Sequence, residues 1–314
     1  MPLTKLQFRP GINRETTSYT NEGGWFDCDK VRFRAGLPEK IGGWERKTEN
    51  QFLGTCRALH PWIALDGSNY LGVGTHLKYY IEEGGALYDI TPIRRTTAAG
   101  VVTFSATEGE TLVTVTDNGH GAVPFDFVTF SGAVSLGGDI TATVLNQEYQ
   151  IVSVEDSNIY TIDVGVEATS SDTGDGGNSI VGVYQINVGL DDSISGNGWG
   201  AGVWGRGSWG SGTALTAVSD VLRLWSHDNF GEDLIINIRG GDIYYWDKSA
   251  NAGVLSFDRA VPLNSLAGAD AGTPTIATKV LISDRDRHVI AFGADPVDNI
   301  GTQDPLLIRF SNQE

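Results

Sequence analysis

Two overlapping spacings in this chain could bind a nucleotide. Gly200 to Gly205 (GAGVWG) and Gly205 to Gly210 (GRGSWG) each match G-x-G-x-x-G. That fingerprint works only with a strand before it, a helix after it and an acidic residue about 20 positions on. No helical period follows here, and tryptophan stands where helix packing wants small side chains. The five histidines, His60, His76, His120, His227 and His288, are not spaced as ligand pairs, and no C-x-x-C occurs. Zinc chemistry is therefore not expected. Asp172 and Asp175 lie among glycines but do not follow the order of a calcium loop. Glu82 and Glu83 read as solvated turn carboxylates. There is no G-x-S-x-G elbow. Nothing sets a nucleophile beside a base and an orienting group, so no enzymatic activity and no cofactor are expected.

The tryptophans speak for contact rather than catalysis. Trp199, Trp204 and Trp209 recur at five-residue intervals, each followed by glycine, within GNGWGAGVWGRGSWGSG (196–212). Glycine at this density disfavours regular structure. Such an arm would either plug its indoles into grooves of a neighbouring subunit or pack them on the protein's own β core.

The elements that must carry these side chains are strands. Glycine is abundant at 41 of 314 residues, and Val, Ile, Thr and aromatic residues recur in short runs, a β composition rich in turns. Residues 1–97 read as an N-terminal arm followed by first propeller-like strands. Asp29 to Arg34 (DKVRFR) alternates as a half-buried strand, which Gly36-Leu37-Pro38 breaks. Cys56–Leu65, Tyr70–Thr75, Leu77–Ile81 and Leu87–Ile93 read as short antiparallel strands separated by Asp66-Gly67 and Glu82–Gly85 turns. A related unit recurs as Leu234–Arg239 (LIINIR), Gly240-Gly241 and Asp242–Asp247 (DIYYWD), with a Tyr-Tyr pair in both. HVIAF (288–292) and LLIRF (306–310) add a third fragment. Repeats of about 40–50 residues with four strands each mark a β-propeller.

Residues 98–190 form a separate block. Lys and Arg are absent between Arg95 and Arg206. Thr111–Thr116, Phe125–Phe130, Ile140–Leu145, Tyr149–Val154 and Ile159–Val164 are expected strands, and Ser170–Gly177 an expected loop. The expectation is all-β: a propeller-like platform, complete or partial, carrying an inserted small β-barrel or sandwich at 98–190. Residues 191–314 would hold the Gly/Trp arm and further propeller-like strands.

Charge narrows the partners. Lys plus Arg is 22 and Asp plus Glu is 39, a net charge of −17, which disfavours binding nucleic acid by phosphate neutralisation. Cys28 and Cys56 allow one disulfide, but two reduced thiols are expected. No signal-like N-terminus and no apolar span of membrane length is present.

One long run of motifs carries a family resemblance. Phe8-Arg-Pro-Gly-Ile12, Glu22-Gly-Gly-Trp25, Asp29-Lys-Val-Arg-Phe-Arg34, Gly36-Leu-Pro-Glu-Lys-Ile41 and Gly42-Gly-Trp44 resemble the opening of podovirus tail nozzle proteins, also called packaged-DNA stabilisation proteins. The Gly-Trp stretch and the closing Ile308-Arg-Phe-Ser-Asn-Gln-Glu314 are similar to family segments. The resemblance implies a virion tail protein, assembled in the host cytoplasm, that forms a ring, a homohexamer, below portal and adaptor. Its partners would be its own copies, tail adaptor or portal-proximal proteins, and a tail fibre or spike. Genomic DNA would pass through the lumen without specific binding, eased by an acidic lining. Phe8, Trp25, Trp44, Trp199, Trp204 and Trp209 are then candidate subunit-interface residues. Without the insert, too little chain remains for six or seven blades. An N-terminal portion of a longer protein, or a reduced platform, would account for that. The alternatives are a tailspike or receptor-binding adhesin that holds host glycan on exposed tryptophans, and a glycan-degrading enzyme, which needs two carboxylates facing a cleft.

Overall fold

The computed structural model describes residues 8–17, 19–43, 45–46, 48–189, 222–251, 257–283 and 285–312. The chain divides into two units, Met1–Glu49 and Asn50–Glu314.

The first unit is organised by one hairpin. Strand β1 (Val31–Arg34) pairs antiparallel with β2 (Leu37–Lys40). Val31 and Phe33 are half-buried and Arg32 and Arg34 exposed, the alternation expected of DKVRFR. The strand ends at Arg34, as expected, and the chain turns back so that Pro38 falls within β2. Ala35 and Gly36 both take positive φ (50° and 81°), which is the two-residue turn whose twist suits a hairpin. Pro38 is tolerated because β2 is an edge strand that needs no further donor.

In the second unit, three consecutive meanders form separate sheets. The first comprises β3 (Cys56–Ile63), β4 (Asn69–Thr75), β5 (Tyr79–Glu83) and β6 (Ala86–Asp89), paired in chain order. An insert follows with β7 (Ile93–Thr96), β8 (Thr103–Ala106), β9 (Leu112–Thr116), β10 (Phe127–Ser131), helix α1 (Ala142–Leu145), β11 (Glu148–Val154), β12 (Ile159–Asp163), β13 (Asp172–Asp175) and β14 (Val181–Gln185). The second meander is β15 (Trp225–Phe230), β16 (Asp233–Ile238), β17 (Ile243–Trp246) and β18 (Val261–Pro262). The third has three strands, β19 (Lys279–Ile282), β20 (Val289–Phe292) and β21 (Ile308–Phe310).

The meanders stack face to face like propeller blades. β16 is apolar on both sides because both sides are covered. Leu234, Ile236 and Ile238 join Trp62, Tyr70, Tyr79 and Ile81 of the first blade in one core. Ile235 instead joins Val280, Ile282, Val289 and Ala291 of the third. Such continuous hydrophobic runs belong to strands buried on both faces. Side chains reinforce the second junction: Ser226 Oγ accepts from Val280 N at 3.0 Å, and Asp228 Oδ2 from Ile282 N at 2.8 Å. The fold is therefore all-β, and among the described residues its three blades stack without closing into a ring.

The insert is one antiparallel sheet of order β13-β8-β9-β12-β11-β10-β14-β7. It curls over itself, since Phe104 of β8 and Phe130 of β10, four places apart in that order, lie edge to face at 4.9 Å. One core of Val, Ile, Phe and Tyr fills it. Its entry strand β7 and exit strand β14 are neighbours, so the insert leaves the blade stack and returns at one place. Two expectations fail here. Ile140–Leu145 is not a strand: Thr141 caps α1 by accepting from Val144 N at 3.3 Å, and Leu145 is buried in the core. Capping and that burial override β-branched propensity. Ser170–Gly177 is not wholly loop, because Asp172–Asp175 pairs with β8 at the sheet edge.

Candidate interface residues and buried clusters

The interface candidates of the first unit sit beside its hairpin. An isolated parallel bridge sets Ile12 against Trp25, and Asn13 N donates to Trp25 O at 2.9 Å. The Trp25 indole is half-buried between Phe8, 5.8 Å away, and Phe33, 6.1 Å away. Trp25 thus packs within its own unit, while half of the Phe8 surface stays exposed. Trp44, Trp199, Trp204 and Trp209 lie outside the described residues.

The junction of the first two blades gathers residues that the sequence kept apart. Trp62 stacks on Tyr70 at 5.2 Å, and both meet Trp246 edge-on. Phe257 packs on Trp246 and stacks on Tyr88 at 4.0 Å. Close by, His60 and His227 lie ring to ring at 4.7 Å. His60 Nε2 is 2.7 Å from Asn229 Oδ1, and His227 Nδ1 is 3.1 Å from the Tyr79 hydroxyl. Burial, with a smaller contribution from His60, lowers the His227 pKa to about 4. Burial also pushes the Tyr79 hydroxyl far above its usual range. The cluster packs the junction of the two blades. No spacing along the chain signals this pair; it exists because β3 and β15, the first strands of their sheets, lie side by side.

An ionic clamp ties the blades to the insert. Lys78, almost fully buried, donates to Asp89 at 2.7 Å and also pairs with Glu148 of β11. Arg259 reaches Asp89 at 2.6 Å, and Gln185 Nε2 donates to Glu148 at 2.6 Å. Burial alone would raise the Asp89 pKa; the Lys78 and Arg259 charges outweigh it and hold the carboxyl below its ordinary range. Within the insert, Arg95 grips Asp117 through two 2.9 Å bonds, and Asp117 accepts from Tyr184, whose hydroxyl meets that of Tyr160. Glu82, expected to be solvated, is buried, its Oε1 accepting from Gly85 N at 2.8 Å to close the turn.

Glycoside hydrolysis demands two carboxylates that face a cleft. Burial, with the charge of Asp295, raises Asp242 to about 6. Asp295, however, is fully buried and accepts from Thr275 Oγ1 at 2.8 Å, Gly301 N at 2.8 Å and Thr275 N at 3.2 Å. A carboxylate so enclosed cannot meet a substrate, so these two do not make a catalytic pair. A cleft of about 530 Å³ between the second and third blades is lined mainly by apolar groups, among them Phe230, Tyr245, Leu263 and Val297. Among the described residues, no group of three or more His, Cys, Asp or Glu is placed to hold a metal ion. Cys28 and Cys56 are free thiols.

No family model matches the chain, and no curated protein matches it. Among solved structures it is similar to phage phi92 endosialidase, at 13% identity over 82% of this chain and 36% of that one, with a TM-score of 0.24. The chain thus spans little more than a third of that protein, and a likeness this slight carries no argument.

Proposed function

We propose that this protein is a structural component of a short-tailed phage tail: a subunit of the nozzle ring below portal and adaptor, which retains packaged DNA and forms part of the ejection channel. The observation that carries this reading is the N-terminal run of motifs from Phe8 to Trp44, with its resemblance to tail nozzle proteins. The blade stack agrees with the platform that the resemblance implies. The net charge of −17 suits a channel wall that repels phosphate and lets DNA slide.

Electron microscopy of the purified full chain tests it. The expected particles are rings with a central opening wide enough for duplex DNA, and the protein should not retard DNA at physiological salt. Strictly monomeric particles, or tight DNA retention that weakens steeply with salt, would contradict the reading. Specific capture on a glycan array would favour the adhesin instead.

A further inference from the structure

The insert presents one large side chain from a backbone conformation that its residue type disfavours. Val123, Pro124, Phe125 and Asp126 form a tight turn, closed by Asp126 N donating to Val123 O at 3.2 Å. Phe125, third in the turn, has a φ of +74°. Proline second and a positive φ third is the pattern of a type II turn, whose third position calls for glycine or asparagine. A bulky side chain there is strained. Bonds to β11 hold the turn in that shape. Phe125 N donates to Ile151 O at 2.8 Å, Ile151 N to Asp126 O at 2.8 Å, and Gln150 Nε2 to Phe125 O at 3.2 Å.

Burial does not offset this strain, since Phe125 is 62% exposed. Val123 in the same turn is 42% exposed, and Val152, next to the residue that holds Phe125, is 46% exposed. The pairing of β11 with β12 slips between Ile151 and Ser153. Such a bulge re-aims a side chain, and here it falls at Val152. A strained turn and a bulge thus meet at one small apolar surface. Strain kept without a packing gain inside the fold points to contact outside it.

Charge says what that contact would be. No Lys or Arg occurs between Arg95 and Arg206. The bases beside the insert are already engaged: Arg94 with His120 O and Asp126, Arg95 with Asp117, and Lys78 with Glu148. Glu108, Glu110, Asp139, Glu155, Asp156 and Asp163 are exposed carboxylates of the insert. Two of them share the margin of Phe125. Gly119 N donates to Asn158 Oδ1 at 3.1 Å, His120 Nε2 lies 3.1 Å from Asp156 O, and Phe125 N reaches Ile151 O. Residues 119–125 therefore run beside 158–151, with Glu155 and Asp156 on that run. A second copy, itself at net −17, meets such a surface with like charge. We propose that the Phe125 turn is a docking site for a basic segment of a partner protein. Its aliphatic side chains would cover Phe125, Val123 and Val152, and its lysines or arginines would face Glu155 and Asp156. The site does not depend on the ring reading.

Three labelled peptides and one variant of the full chain test it by fluorescence anisotropy. The peptides alternate lysine with leucine, lysine with serine, and glutamate with leucine. The parent should bind the lysine–leucine peptide at least about tenfold more tightly than the lysine–serine one. That binding should weaken as salt rises, and the glutamate–leucine peptide should not bind. Phe125→Gly should bind the lysine–leucine peptide at least about tenfold more weakly than the parent and the lysine–serine peptide equally well. It should melt at or above the parent's temperature, because glycine suits a positive φ. Equal binding of the lysine–leucine peptide by parent and variant would overturn the proposal, as would no preference for leucine over serine. A variant that melts several degrees below the parent would make the ring part of the protomer's own packing, and would overturn it too. If Phe125→Gly instead lowers the mass of the chain alone in light scattering, the occupant is a second copy and the basic partner is wrong.

Discussion

Trp225 Nε1 donates to the carbonyl oxygen of Thr75 across 2.7 Å, joining two strands that the whole insert separates in sequence. The indole lies edge-on to Tyr79 at 4.9 Å and directly over Gly74. This explains the glycines of YLGVGT. A Cβ at Gly74 would stand 2.5 Å from Trp225 Cδ1, and one at Gly72 would stand 2.5 Å from the Tyr79 hydroxyl oxygen.

Gly74→Ala should therefore destabilise the blade stack by about 1–3 kcal/mol, the usual cost of overpacking. Urea denaturation followed by tryptophan fluorescence reads this. Gly43→Ala, where a Cβ meets open space, should leave stability unchanged. Equal effects at the two sites would remove the indole from its assigned role.

Two buried groups set opposite pH dependences. His227 takes a proton near pH 6.5 when unfolded but only near 4 when folded. The unfolded state binds more protons between those values, so stability falls as pH drops from about 6.5 to 4. His227→Gln should flatten that limb, by an amount on the order of 3 kcal/mol. Asp242 has the reverse sign, because its folded value is raised to about 6. It favours the folded state at low pH and loses that contribution as pH rises from about 4 to 6. Asp242→Asn should be more stable than the parent at pH 8 and equal to it near pH 4. Thermal melts across pH 4–8 check both.

The Lys78 clamp should be asymmetric in its response. Removing the buried ammonium leaves Asp89 and Glu148 held only by Arg259, Thr91 and Gln185, so Lys78→Ala should cost about 1–3 kcal/mol. Glu148→Gln should cost less, since Asp89 and the rest of the clamp persist. Hydrogen exchange would show where the first variant opens: at β5, β6 and β11. Loss confined to β11 would mean that the clamp holds the insert without bracing the first blade.

The tryptophans should divide by role. Trp25→Ala removes the ring between Phe8 and Phe33, so exchange should rise across residues 8–43. Replacing Trp199, Trp204 and Trp209 together should weaken assembly and leave protomer melting intact. Unfolding of the protomer by the triple variant would make those rings core.

Much of the β architecture was legible because its signals are local. LIINIR, Gly240-Gly241 and DIYYWD became β16, a turn and β17, and Asp66-Gly67 turned β3 into β4. The likeness of the two Tyr-Tyr pairs was misleading in detail. Tyr79 faces the second blade, whereas Tyr244 faces back toward the first, and both enter one core. The blade-equivalent of Tyr244 is Tyr80, one residue along. Strand period is two, so a one-residue offset reverses every face, and sequence likeness alone could not set it. ITATVL misled because a cap and one buried leucine outweighed three β-formers. The His60–His227 pair and the Lys78 clamp were invisible because strands far apart in sequence create them. Of the candidate tryptophans, Trp25 lies among the described residues, and its ring neighbours Phe8 and Phe33 belong to its own unit.

The most direct measurement is the position of this chain in an electron-microscopy map of the intact virion. A ring subunit should give density as a closed ring immediately below portal and adaptor, with DNA on the axis. Density at a fibre or spike tip instead, or a virion that lacks the chain altogether, would contradict it.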